Sequence, residues 1–340
     1  MSTTAPVRVV VIGGGANSEH EVGLASAASV AAALDPTRYE VARLTIDREG
    51  GWLSDDAACT FPEAAAVIAA ADVVFPAVHG PDGEDGSLAA LAALAGVPVV
   101  GSPVGAGALA MDKWATKLVA QASGVAVAPG TLLTRVDATP APDADVLRSA
   151  VGPMPWIVKP VAGGSSFGVS RVDAPGQLDA ALAEAFALDD RVLVERLVTG
   201  REVDVAVLER ATGELVVGPP LEVLNDVDGF FDAGTKYDGS ARFVLPAPLE
   251  PAVAERIDTV ARTLFARLGC AGLARVDCFV SPEGEVVLNE VNTMPGLTAQ
   301  SQLPKMFAAV GIDYPELLSG LVETARRPST RSGTRVGAAR

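Results

Sequence analysis

The run Val287-Leu288-Asn289-Glu290-Val291-Asn292-Thr293-Met294-Pro295-Gly296 follows an apolar run at 273–280 that carries Arg275 and Asp277. Ser281-Pro282-Glu283-Gly284 lies between the two and has turn composition. Two β-rich runs joined by a tight turn predict a hairpin. With Glu283-Gly284 as a two-residue loop, Asp277 falls opposite Glu290. The strand period of two then puts Asn292 on the same face as Glu290. Facing carboxylates repel one another. A hard cation between them removes the repulsion, and Asn292 adds a third oxygen of the kind Mg²⁺ accepts. Taken alone, the pattern describes a hairpin with a solvated acidic face equally well.

The chain around this hairpin has 340 residues, enough for two or three domains. It is 49% hydrophobic, and strand-like and helix-like runs alternate, which predicts an α/β protein. A net charge of -16 argues against a nucleic-acid partner, which needs a basic face. A small phosphorylated ligand needs only a few local lysines or arginines. Cys59, Cys270 and Cys278 have no zinc-type spacing and are odd in number, which fits a reduced cytoplasm. The apolar runs are too short for a bilayer span, and the N-terminus lacks secretory-signal features, so no membrane partner is expected.

The segment 7–12 reads as a buried parallel strand, followed by Gly13-Gly14-Gly15 and a helix over 18–34. Ser18 and Glu21 have capping-box spacing there. A dinucleotide-binding oxidoreductase is an alternative from this turn, but Ser18 stands where that fingerprint needs Gly or Ala. Strands are expected at 41–46, 73–76 and 97–100. The loop from His79 to Gly86 follows the 73–76 strand, where open α/β sheets receive ligands. A helix at 111–122 carries Lys113 and Lys117. The segment 156–160 is a strand containing Lys159, joined by Gly163-Gly164-Ser165-Ser166-Phe167-Gly168 to a return strand. Backbone amides of such a loop can cradle phosphate, although the P-loop order is missing. Further strands at 191–197 and 202–208 bear Glu195, Glu202 and Asp204. The segment 225–245 reads as a docked lid, 251–268 as an amphipathic helix, 314–325 as the last helix and 326–340 as a disordered tail.

In this order the motifs resemble the ATP-grasp ligases, and among them the D-alanine–D-alanine ligase family. The resemblance implies an α/β (α+β mixed) ATP-grasp fold: an N-terminal Rossmann-like parallel-sheet domain over 1–103, a central subdomain with the phosphate loop over 104–198, and a C-terminal antiparallel-sheet catalytic domain over 199–325. It implies that Glu21 receives the ammonium of the first D-alanine and that Ser165 hydrogen-bonds with Glu21 and Tyr237. Lys113, Lys159, Ser166 and Lys236 are expected on ATP phosphates. Glu195 and Glu202 would meet adenine and ribose, with Leu197 as the hinge. Asp277, Glu290 and Asn292 would hold Mg²⁺ (two ions, with Mn²⁺ as a substitute), and Arg275 and Gly296 would serve the oxyanion. His79, Ser301 and Gln302 would meet the substrates. A cytoplasmic homodimer that supplies peptidoglycan precursors is implied as well. Several positions depart from the family pattern: Gly23, Ala89-Ala90, Phe167, Met294 and Gln302. Several of them surround the expected amino-acid pockets, and Gln302 and Gly23 keep open a ligase of a specialised antibiotic or resistance pathway.

Overall fold

This computed structural model describes residues 5–136, 142–224 and 242–327. The expected lid as far as residue 241, with Lys236 and Tyr237, and the tail beyond residue 327 lie outside the described residues.

The first sheet contains β1 (Val7–Gly14), β2 (Tyr39–Ile46), the hairpin β3 (Trp52–Ser54) and β4 (Ala57–Cys59), and β5 (Val73–Pro76). Its order is β4-β3-β2-β1-β5, with β2 and β5 parallel to β1 and the hairpin antiparallel at the edge. Val9 and Val11 enter one core cluster while Val10 and Ile12 enter another. Both faces of β1 are therefore covered, which is why its sequence is apolar throughout. Helices α1 (His20–Ala33), α2 (Phe61–Ala69) and α3 (Ser87–Leu94) belong to this unit. The expected strand at 97–100 amounts to a single bridge between Val74 and Val99, because Pro98 has no N–H to extend a ladder. The expected 111–122 helix is α5 (Lys113–Ala122), and a further, unexpected helix, α4 (Val104–Met111), precedes it. Asp112 between them is extended, and its carboxylate caps α5 by accepting from Ala115 N–H at 2.8 Å.

After β6 (Ala126–Val127), a second, wholly antiparallel sheet is formed by β7 (Gly130–Thr134), β8 (Trp156–Pro160), β9 (Ser170–Val172) and β10 (Arg191–Arg196), in the order β7-β10-β8-β9. Helices α6 (Ala144–Val151) and α7 (Leu178–Phe186) cover one face around the fully buried Trp156. The third sheet contains β11 (Arg201–Glu209), β12 (Leu215–Val217), β13 (Leu221–Leu224), β14 (Arg242–Val244), β15 (Leu273–Val280) and β16 (Val286–Asn292). It runs β14-β13-β11-β15-β16-β6, with β12 paired to β11. Helix α8 (Pro251–Leu268) buries Ile257, Ala261, Leu264 and Leu268, spaced at helical intervals, on its inner face. Helices α9 (Gln302–Ala308) and α10 (Tyr314–Ala325) fill the space between the first and third sheets. Val9, Val11 and Phe75 consequently share one core with Leu273, Phe307, Leu317 and Leu321.

The β15–β16 hairpin pairs Asp277 with Glu290 and Arg275 with Asn292. Its turn is longer than two residues: Ser281 N–H bonds Glu285 O at 2.9 Å, so Pro282-Glu283-Gly284 forms the loop. A bulge at Asn289 then shifts the register by one between Cys278 and Asp277. The two irregularities cancel, so the sequence alternation at the acidic end survives a different turn.

Candidate active site

The C-terminal ends of β1 and β5 face the exposed side of β15 and β16. The loop between β8 and β9 closes the third side, leaving a cleft of about 690 Å³. Three acidic side chains lie across the floor in one row, because Asp204 on β11 pairs with Asp277, which pairs with Glu290. Asp204 and Asp277 are buried. Arg275 Nε and Nη2 each donate to Asp277 at 2.7 Å, and Asn292 Nδ2 donates to Asp277 Oδ2 at 2.8 Å. Lys113 Nζ lies 3.1 Å from Glu290 Oε2 and also donates to Gly163 O.

A second charge cluster lies on β8 and β10. Glu195 Oε1 is 2.5 Å from Lys159 Nζ and its Oε2 is 2.9 Å from Lys117 Nζ, with all three groups buried. Burial alone would raise the Glu195 carboxyl. The two ammonium groups override it and hold the carboxyl at about 2. Burial dominates at Lys159, whose ammonium is pushed down. Lys159 also donates to Asn289 Oδ1 at 3.2 Å, the side chain that the bulge turns inward. Lys117 is four residues from Lys113 and so shares its face of α5; that spacing is the sequence signal for its role. Leu197 N–H is bonded to Pro155 O at 3.0 Å, which occupies the amide expected to meet a base. Glu202 lines the cleft beside Asp204.

The loop 163–168 brings Ser165 and Ser166 into left-handed backbone conformations, at φ 51 and 59. Such conformations are strained for non-glycine residues and concentrate at functional sites. Ser165 Oγ donates to Glu19 Oε1 at 2.5 Å, so its partner is Glu19 and not Glu21. Asn17 explains the correction. Its Oδ1 accepts from Glu19 N–H at 2.8 Å and delays the helix to His20, so Ser18 does not cap it. Glu19 is then the buried cap position, while Glu21 is exposed and pairs with Arg48 at 2.6 Å. The Glu19 carboxylate fits between two glycines: a Cβ on Gly80 or Gly164 would come within 2.4 or 2.2 Å of Glu19 Oε2.

His79 does not point a free nitrogen at the cleft. Its Nδ1 bonds Met294 O at 2.6 Å and its Nε2 bonds Ser26 Oγ at 2.8 Å, while Ser26 Oγ accepts from Leu297 N–H at 3.2 Å. A carbonyl only accepts, so Nδ1 carries the proton and Nε2 accepts from the serine. Burial pushes the His79 pKa down, consistent with this neutral ring. Glu84 holds the other side of the same residue: its Oε2 accepts from Met294 N–H at 3.0 Å and its Oε1 from Gly80 N–H at 3.1 Å. Burial, and then the Glu19 charge, push the Glu84 carboxyl up to about 7. The Met294 side chain is in the core against Gly101 and away from the cleft, so that departure from the family pattern does not alter the lining. Gly296 lies against Ser301, and Ser301 Oγ accepts from Thr298 N–H at 3.1 Å. Ser301 and Gln302 both line the cleft.

Asp277, Glu290 and Asn292 present a hard oxygen donor set on one face of a hairpin. That set fits Mg²⁺ or Mn²⁺, provided Asn292 turns its oxygen inward and Arg275 and Lys113 yield the carboxylates.

A family model described as D-ala D-ala ligase C-terminus matches residues 119–323, and one described as D-ala D-ala ligase N-terminus matches 8–66 and 57–102. A D-alanine–D-alanine ligase of Deinococcus radiodurans is 42% identical over 335 residues, covering 94% of this chain and 98% of that one. One from Corynebacterium aurimucosum is 40% identical over 358 residues, covering 96% and 99%. Among solved structures, the VanG D-Ala:D-Ser ligase of Enterococcus faecalis aligns with a TM-score of 0.83 at 33% identity, covering 94% and 99%. The D-alanyl-alanine synthetase A of Vibrio cholerae aligns at 0.84 and 30%, covering 95% and 99%.

Proposed function

The chain belongs to the D-alanine–D-alanine ligase family, with its ATP-grasp fold, and from that premise we propose that it joins two D-alanines at the expense of ATP, for peptidoglycan precursor synthesis. The observation that carries this reading is the convergence of Lys113, the 163–168 loop and the Asp277–Glu290 hairpin on one cleft, with the buried Lys159 hydrogen-bonded to Asn289 of the same hairpin.

A carboxylate is a poor electrophile. One oxygen of the first D-alanine carboxylate attacks the γ-phosphorus of ATP, ADP leaves, and an acyl phosphate forms. The amine of the second D-alanine then attacks the acyl carbon. The tetrahedral oxyanion collapses, inorganic phosphate leaves, and the ammonium proton passes to solvent or a neighbouring base. Asp277, Glu290 and Asn292 would hold Mg²⁺, which neutralises charge on the transferring phosphoryl group. Lys113 and Lys159 add fixed positive charge. Glu19 receives the ammonium of the first substrate, and Ser165 fixes that carboxylate against the phosphate loop. Arg275 and the Gly296 amide face the developing oxyanion, where one donor is worth roughly 3–4 kcal/mol of barrier. Ser301 meets the carboxylate of the second substrate. Val198, next in line after the engaged Leu197, supplies the backbone contact to adenine, and Glu202 the contact to ribose. The remaining assignments, resting on family likeness, are a division into domains at 1–103, 104–198 and 199–325, a homodimer, and a cytoplasmic location. No helix among the described residues is long and apolar enough to cross a membrane.

The test is ADP release from Mg-ATP on addition of D-alanine, with the dipeptide identified by mass. No ADP with any amino acid, despite ATP binding, rejects the ligase reading. Gln302 beside Ser301 favours a polar second substrate as the alternative, and a D-serine arm in the same assay decides between them.

A further inference from the structure

Asp204 is buried in the middle of β11 and takes no part in the reaction described above. It stands directly across from Asp277. Arg275 Nε is 2.7 Å from Asp277 Oδ1 and 3.8 Å from Asp204 Oδ2. The guanidinium thus lies between two carboxylates, hydrogen-bonded to one and within ion-pair distance of the other. The two Asp277 oxygens it occupies are those a cation would need. A guanidinium keeps its charge at any working pH, so it cannot give up Asp277 by losing a proton. It has to find another anion.

We propose that Asp204 is a positioning residue that receives Arg275 when a divalent cation takes Asp277. The proposal rests on the reading of Asp277, Glu290 and Asn292 as cation ligands. Asp204 does not join that set. Two strand spacings separate it from Glu290, about 9–10 Å between backbones. Among the described residues, no three His, Cys, Asp or Glu side chains are grouped to hold a metal. Its position suits the other job. A small rotation about the last Arg275 torsions closes the 3.8 Å gap and keeps the guanidinium on the cleft face, within reach of the oxyanion. Without Asp204, Arg275 loses the anchor across from Asp277 and competes more strongly for Asp277.

The test uses Mn²⁺ alone as probe, with the free ion read by electron paramagnetic resonance. The full-length proteins are wild type, Asp204→Asn, Arg275→Met and the double variant. Asp204→Asn should weaken Mn²⁺ binding about tenfold more when Arg275 is present than in the Arg275→Met background, a coupling that a double-mutant cycle isolates. Asp204→Glu should restore most of the binding and guards against a folding defect. In a crystal structure with Mn²⁺ and ADP, Arg275 should be hydrogen-bonded to Asp204. Equal effects in both backgrounds mean that Asp204 acts independently of Arg275 and overturn the proposal. So does Arg275 remaining bidentate on Asp277, or a lower melting temperature with unchanged Mn²⁺ affinity. An Asp277→Asn control that binds Mn²⁺ like wild type removes the cation reading itself, and that result is visible without any change at Asp204.

Discussion

Two positions along a helix rotate a side chain by about 200°, which is why Glu19 and Glu21, alike in sequence, end in opposite surroundings. Glu19 is buried against Ser165, and Glu21 is paired with Arg48 in solvent. Glu19→Gln should lower kcat/KM for D-alanine by about 10- to 100-fold, the worth of a charge-assisted hydrogen bond. Glu21→Gln should change it less than threefold, and steady-state kinetics on the pair checks both. Glu84 gives a pH signature. Its carboxyl is raised to about 7 in the fold, so the unfolded chain ionises first as pH rises. Its contribution to stability is therefore full below the ordinary carboxylate range and is lost as pH climbs through 7. Urea unfolding of Glu84→Gln should show a weaker decline between pH 5 and 8 than wild type.

At the scale of elements, β1 and α1 approach each other at glycine distance. A Cβ on Gly23 would meet Gly14 O at 2.3 Å, and one on Gly13 would meet the Ala27 Cβ at 2.4 Å. Gly23→Ser, which restores the family's usual residue, should cost about 1–3 kcal/mol here by overpacking, measured by denaturant melts. The strand β10 carries Glu195 between two lysines, and Glu195→Gln would leave both ammonium groups without their anion. A loss of about 3–5 kcal/mol is expected in the same melts. The elements were legible where a period carries them. The alternation in β11, the apolar run of β15 and the spacing in α8 needed no structure. Three things did: the helix α4 ahead of Asp112, absent from the sequence expectations; the turn and bulge of the hairpin, whose errors cancel; and the start of α1. The last is set by a single Asn17 side chain and decides which of the two glutamates lining the cleft is buried against Ser165. Likewise, Asp204 reads in sequence as one more alternating acid, and only strand pairing places it beside Arg275.

For the whole molecule, the chain of hydrogen bonds from Leu297 N–H to Ser26, His79 and Met294 O ties the first sheet unit to the loop that presents Gly296. Ser26→Ala removes the middle link of a buried chain. It should cost about 1–3 kcal/mol of stability and lower kcat more than it raises the KM for ATP, seen by melts and kinetics together. The counter-ion pattern of the cleft has a larger consequence. Lys113 rests on Glu290, Lys159 on Glu195, and Arg275 on Asp277. A nucleotide arriving alone must pull Lys113 from Glu290 and leave that carboxylate without its lysine, whereas Glu195 keeps Lys117. A cation arriving alone must displace Lys113 and leave it bare, while Arg275 passes to Asp204. Only the two together give both Lys113 and Glu290 a new partner of the right sign, so the cleft acts as a conjunction, answering to both inputs and weakly to either one. Calorimetry should accordingly find ADP bound at least tenfold more tightly with Mg²⁺ than without, and Lys113→Ala should shrink that ratio by relieving Glu290 of its resident cation.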